Sequence, residues 1–243
     1  MTGLVTGVFQ VPGEYDSMPL QNSLRTSGRL FPRARWGAAK RKRLLVIALL
    51  MWAFGMIAIT SAGEFNEVLS IGDTAPTWKD LPGTDGKSHS FADLEKADVV
   101  VIVFTCTSCP TAVDYEDRLQ ALTKKYAGDH VAVVAVSVNR VEADKLPALT
   151  KRVAEKKFAF HYLYDESQKI AKDYGAIFTP EFFVLNKDRK IVYMGAMDDS
   201  TDPAGVKIHY VENAIAAAKR GEKPAVTETI ARGCRVRWAR ERR

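Results

Sequence analysis

Val99-Val-Val-Ile-Val-Phe-Thr-Cys-Thr-Ser-Cys-Pro110 is the stretch that decides the fold. Its first six residues are apolar and almost all β-branched, as in a strand buried on both faces. After the cysteines, Val113, Leu119, Leu122 and Tyr126 recur at helical spacing. Asp114, Glu116, Asp117, Lys124 and Lys125 fall largely on other faces. Pro110 suits a first helical turn, where its missing N–H leaves nothing unpaired. Cys106 and Cys109 therefore sit where a buried strand turns into a helix. Unpaired backbone N–H groups and the helix dipole favour negative charge at such a junction. The expectation is a Cys106 thiol of lowered pKa, since the thiolate is the attacking species. Cys109, one turn on, points back to the same face and can attack a mixed disulfide formed at Cys106.

Working outward, residues 131–137 read as a second buried strand and 142–157 as a helix carrying Leu146, Leu149, Val153 and Ala154. A short strand over 160–164 and a helix over 167–174 ending at Gly175 follow. Residues 181–185 and 191–195 form a hairpin about the turn 186–190. A last helix, with Val206, Tyr210, Val211, Ala214 and Ala218, occupies 204–219. Upstream, 71–76 is an opening turn, and 83–87, with Asp85-Gly86, is a turn between two short strands. The order βαβαβαββα defines an α/β layer fold, with parallel strands closed by an antiparallel hairpin. No internal repeat is present.

Thr179-Pro180 stands just before a strand, where proline costs no ladder bond and where an X-Pro bond can be cis. The run Phe104-Thr-Cys-Thr-Ser-Cys-Pro110, together with Thr179-Pro-Glu-Phe-Phe-Val184 before a hairpin, resembles the thioredoxin superfamily. It most resembles the redoxin branch: bacterial membrane-anchored thiol–disulfide oxidoreductases and alkyl hydroperoxide reductase-like proteins. The resemblance covers roughly residues 68–220. It implies a thioredoxin-like fold, a central mixed sheet with flanking helices, in which residues 131–164 are an inserted helix–strand unit. It assigns Cys106 as nucleophile, Cys109 as resolving thiol and Pro180 as the cis-proline beside the disulfide. Thr179 would offer backbone groups to a bound peptide in strand fashion. The implied partners are protein thiols and disulfides and an upstream electron-donor thiol protein, with no cofactor beyond the cysteines. Gly233-Cys-Arg-Val-Arg-Trp238 also resembles the C-terminus of some redoxin-domain proteins with this motif.

The second reading is a peroxiredoxin-like thiol peroxidase, a label that relatives in this branch often carry. Peroxiredoxins place their reactive cysteine in a Pro-x-x-x-Thr/Ser-x-x-Cys loop. The corresponding positions before Cys106 are Val103 and Val99, and before Cys109 they are Cys106 and Ile102, so neither cysteine matches. Thr107 and Ser108 supply no cation to stabilise a thiolate, which favours a reductant over a strong oxidant.

The chain of 243 residues has a formal net charge of +6. The excess sits in residues 25–43 and in Arg232, Arg235, Arg237, Arg240, Arg242 and Arg243. A basic face on a folded domain is thus missing, which argues against nucleic-acid binding. Residues 1–43 read as a disordered basic segment. Residues 44–60 are an uncharged apolar run led by Lys40-Arg-Lys-Arg43, which can barely span a bilayer. Two readings of 44–62 stand: a signal peptide cut near Thr60-Ser-Ala62, or an uncut anchor. Either exports the domain to the periplasmic or an equivalent face. Residues 221–243 read as a basic tail holding Cys234, which is an idle thiol, a third redox partner for Cys106 or Cys109, or an intermolecular link. Glu181, beside Pro180, is a candidate for proton transfer. A copper or zinc delivery protein is a further alternative, with His89, His130, His161 or His209 joining the cysteines. Asp198, Asp199 and Asp202 read as a solvated turn or a cation loop.

Overall fold

The computed structural model describes residues 63–239. The turn 83–87 joins β1 (Leu81–Pro82) to β2 (Ser88–His89) as an antiparallel hairpin. The apolar run is β3 (Val99–Phe104), with all six residues fully buried. Its side chains alternate between two cores, as strand geometry dictates. Val100, Ile102 and Phe104 face one core, and Val99, Val101 and Val103 face the other.

The cysteine loop leads into α1 (Pro110–Asp114), which stops at Tyr115, and α2 (Glu116–Lys125) follows at once. β4 (Val131–Ser137) then pairs parallel with β3. A single 3₁₀ turn, Glu142–Asp144, precedes α3 (Leu146–Lys156), and β5 (His161–Tyr164) pairs parallel with β4. Next come α4 (Lys169–Tyr174), β6 (Phe178–Thr179), β7 (Glu181–Leu185) and β8 (Ile191–Gly195). β7 lies antiparallel to both β3 and β8, so the central sheet runs β5-β4-β3-β7-β8. α5 (Tyr210–Lys219) closes the layer. This is the expected mixed thioredoxin-like sheet; the sequence reading lacked β6 and the strand at Cys234–Arg235, and it took α1 and α2 as one helix. The last helix starts at Tyr210 rather than 204, because Pro203–Gly205 forms a separate 3₁₀ turn capped by Asp202.

The helices divide between the faces. Leu119 and Leu122 of α2, Leu149 of α3, and Val211, Ala214 and Ile215 of α5 cover one core with Phe182 and Tyr193. Ile170, Ala171 and Tyr174 of α4 cover the other, with Trp78, Phe91 and Phe183. Phe183 meets Phe104 and Tyr174 there edge to face, and Phe104 and Tyr174 lie tilted to each other, with centroids 5.1–5.8 Å apart.

Residues 221–239, read from sequence as a basic tail, lie on the domain. The chain runs beside β8, with Met194 N donating to Thr227 O and Thr229 N to Met194 O. It then forms β9 (Cys234–Arg235), antiparallel to β6. Two glycines permit this approach. A Cβ on Gly195 would lie 2.1 Å from Thr229 O, and one on Gly233 would lie 2.0 Å from Thr179 O. Val236 is buried in the main core. Gln168 holds the strand further on, donating to Arg237 O and accepting from Ala239 N.

The expected signal or anchor at 44–62 and the basic segment 1–43 lie outside the described residues. Among the described residues, no helix is long and apolar enough to cross a membrane.

Candidate active site

Cys106 sits at the mouth of the loop after β3, and Cys109 is the N-cap residue of α1. Helix α1 thus begins four positions past Cys106, and the expected seat of Cys106 at the helix N-terminus is corrected: the N-cap is Cys109. Both thiols are free and buried, 2% and 1% exposed. Pro180 follows Thr179 through a cis peptide bond, as the resemblance implied.

Thr179 touches all three cysteines. Cys106 Sγ donates to Thr179 Oγ1 at 3.4 Å and Cys109 Sγ to Thr179 O at 3.2 Å. The Thr179 hydroxyl donates to Cys234 O at 3.3 Å. Cys234 packs against Cys106, Cys109 and Ala112, and its amide donates to Cys109 Sγ at 3.3 Å, from 125 residues away in sequence. The edge of β6 that sequence assigned to a partner peptide is taken by the chain's own β9.

Burial pushes the Cys106 thiol above its ordinary pKa, and the Asp144 carboxylate adds to the rise. The Thr179 hydroxyl, able to turn and donate to a thiolate, works the other way. The lowered thiol expected at Cys106 is found instead at Cys109. Burial alone would raise Cys109, but the Cys234 side chain and the Ala112 and Cys234 amides more than offset it. Cys234 is pushed up to about 11, first by its hydrogen bond with Cys109 and then by burial.

One residue that sequence reasoning missed organises the loop. Asp144, fully buried in the 3₁₀ turn before α3, accepts from Thr107 N and Ser108 N through Oδ1, both at 2.8 Å. Its Oδ2 accepts from Ser108 Oγ at 2.5 Å and Asn139 Nδ2 at 2.9 Å. Thr107 Oγ1 donates to Oδ1 and to Ala143 O. The two residues between the cysteines are thereby pinned by one carboxylate.

Glu181 is buried beside Pro180, but the structure does not join it to a thiol. Its Oε2 accepts from Ile177 N and Phe178 N at 2.9 Å each and so anchors β6. Burial pushes its pKa up to about 7 against those two bonds. The acidic residues after the hairpin are committed elsewhere. Asp198 pairs with Arg118 at 2.7 Å, Asp199 accepts from Lys207 N and Ile208 N, and Asp202 caps its turn. Among the described residues, the one group with metal-ligand spacing is Asp85, His89 and His161, which includes no cysteine. His130 and His209 join no such group.

The Cys-x-x-Cys pair thus lies shielded between a buried strand and a short helix, facing a cis-proline loop. A family model described as Redoxin matches residues 70–215, and the chain belongs to the redoxin family. It is 24% identical over 150 residues to the thiol-disulfide oxidoreductase ResA of Bacillus cereus (strain ATCC 10987 / NRS 248), a match covering 62% of this chain and 83% of that protein. Among solved structures, the hypothetical protein SMc02350 from Sinorhizobium meliloti 1021 has a TM-score of 0.66 at 28% identity, covering 72% of this chain and 97% of that one. An uncharacterized conserved protein from Geobacillus kaustophilus has a TM-score of 0.66 at 29% identity, covering 71% and 94%.

Proposed function

We propose that this redoxin exchanges disulfides with protein partners through Cys106 and Cys109, and that it does so as a reductant. The Cys106 thiolate attacks a partner disulfide; one partner sulfur leaves as a thiolate and a mixed disulfide forms. Cys109 then attacks Cys106 Sγ, releasing the second partner thiol and leaving the Cys106–Cys109 disulfide. Two electrons pass to the partner, and an upstream dithiol protein restores the pair. Thr179 and Pro180 hold the approaching sulfur beside Cys106, and Asp144 keeps the loop in shape. The observation that carries this reading is the convergence of both thiols on Thr179 beside the cis-proline bond.

The Cys106 environment supports the reductant direction. A strong oxidant stabilises its thiolate, whereas burial and Asp144 disfavour the charge here. The apolar run 44–60 between basic Lys40–Arg43 and Glu64 supports an extracytoplasmic position for the domain. The test is equilibration of the full-length protein in glutathione and dithiothreitol buffers. A two-electron couple nearer roughly −270 mV than −120 mV is expected. Cys106→Ser should abolish reduction of a protein disulfide. Undiminished reduction by that variant would sink the reading.

A further inference from the structure

The three thiols form one cluster, and Cys234 is carried to it on a strand built for that position. Its closest partner is Cys109. The Cys234 amide donates to Cys109 Sγ at 3.3 Å, and Cys234 packs against Cys109 in the same small cluster. Cys106 is tied to the Thr179 hydroxyl instead. β9 is held on both sides of the cysteine. Gly233 allows backbone contact with Thr179, Val236 N donates to Ile177 O at 2.9 Å, and Arg237 N donates to Asn139 Oδ1 at 2.8 Å. An idle thiol in a basic tail would need none of this. Cys234 is also the half-buried member of a trio whose other two thiols are closed off from solvent.

We propose that Cys234 is a third redox-active thiol, which exchanges with the Cys106–Cys109 disulfide to give a Cys109–Cys234 disulfide. This rests on the exchange reading above. Cys234 Sγ, as thiolate, attacks Cys109 Sγ. The Cys106–Cys109 bond breaks as the Cys109–Cys234 bond forms. Cys106 leaves as a thiolate and takes up the proton that Cys234 released. One disulfide and one thiol stand on each side, so no external oxidant or reductant is consumed. The exchange moves the disulfide from a pair closed off from solvent to one that includes half-buried Cys234 at the edge of β6. The partner and the electron donor then meet the cysteine cluster at different sulfurs.

The test is disulfide mapping of the full-length protein under native conditions. The reduced chain is oxidised with stoichiometric diamide, acid-quenched, alkylated with N-ethylmaleimide, digested and sequenced by mass spectrometry. Both Cys106–Cys109 and Cys109–Cys234 links are expected from one preparation. Cys106–Cys109 alone, with Cys234 alkylated at every time point, would overturn the proposal while leaving the dithiol exchange reading intact. A Cys106–Cys234 link would overturn the assignment of Cys109 as the target. Formation of no disulfide at all would overturn both readings. Cys106→Ser should still close Cys109–Cys234 within one monomer; a variant that stays reduced, or forms only dimers, counts against it. Gly233→Val, which forces β9 off β6, should lose the Cys109–Cys234 link and keep Cys106–Cys109. A Cys109–Cys234 link that survives this substitution would show that β9 docking is not what brings the sulfurs together, and the proposal would fall.

Discussion

At the scale of single residues, the chemistry turns on how charge is placed around two buried sulfurs. Cys106 has a fixed anion near it in Asp144, whose partners are the amides and hydroxyls of the loop itself. Asp144→Asn should therefore move the Cys106 titration to lower pH, as read by its ¹³Cβ shift. An unmoved midpoint would show that burial alone sets the thiol. The same substitution replaces a charged acceptor of several hydrogen bonds with a neutral one, and a loss of about 2 kcal/mol in urea unfolding is expected. Sequence did not point to Asp144, because its partners lie 36 and 37 residues away and the acid itself reads as an ordinary helix-start residue. The two cysteines, by contrast, were legible from spacing and from the apolar run before them.

At the scale of elements, what was legible was periodic. The continuous apolar runs of β3 and β4 and the helical spacing in α2, α3 and α5 announce themselves because each buries a regular stripe. The break at Tyr115 did not, since it comes from outside the helix: Tyr115 Oη donates to Asp198 and Ser200, and Arg118 stacks on its ring. Nor did the docking of β9, which is held by backbone approach at Gly195 and Gly233 and by one buried valine in a basic stretch. β6 carries its own prediction. Glu181 holds its two amides with a carboxyl whose folded pKa, about 7, lies above its ordinary 4.5. A group raised in this way binds its proton more tightly when folded. The stability it supports is complete below about pH 4.5 and is lost as pH rises through about 7. The wild-type protein should lose about 3 kcal/mol across that window relative to Glu181→Gln, measured by urea unfolding at several pH values. Parallel pH curves for the two proteins would refute this.

At the scale of the whole molecule, β3 divides two cores that share one sheet, so a loss on either side reaches the cysteine loop through the same strand. Phe183, fully buried and packed against Phe104 and Tyr174, tests this. Phe183→Ala should cost about 3–5 kcal/mol in chemical denaturation. A cost below about 1 kcal/mol would mean that the cavity collapses and the core is less tightly fitted than it looks. The cysteines also span the molecule unequally. A Cys106–Cys109 bond closes almost no loop, and the unfolded chain hardly notices it. Cys109 and Cys234 touch across 125 residues. A bond between them would enclose most of the domain and remove, by chain-entropy arithmetic, about 5 kcal/mol of freedom from the unfolded ensemble. Moving one disulfide within the active site would then change how hard the whole domain is to unravel, and the position of the bond, at one and the same oxidation state, would be written into its resistance to heat.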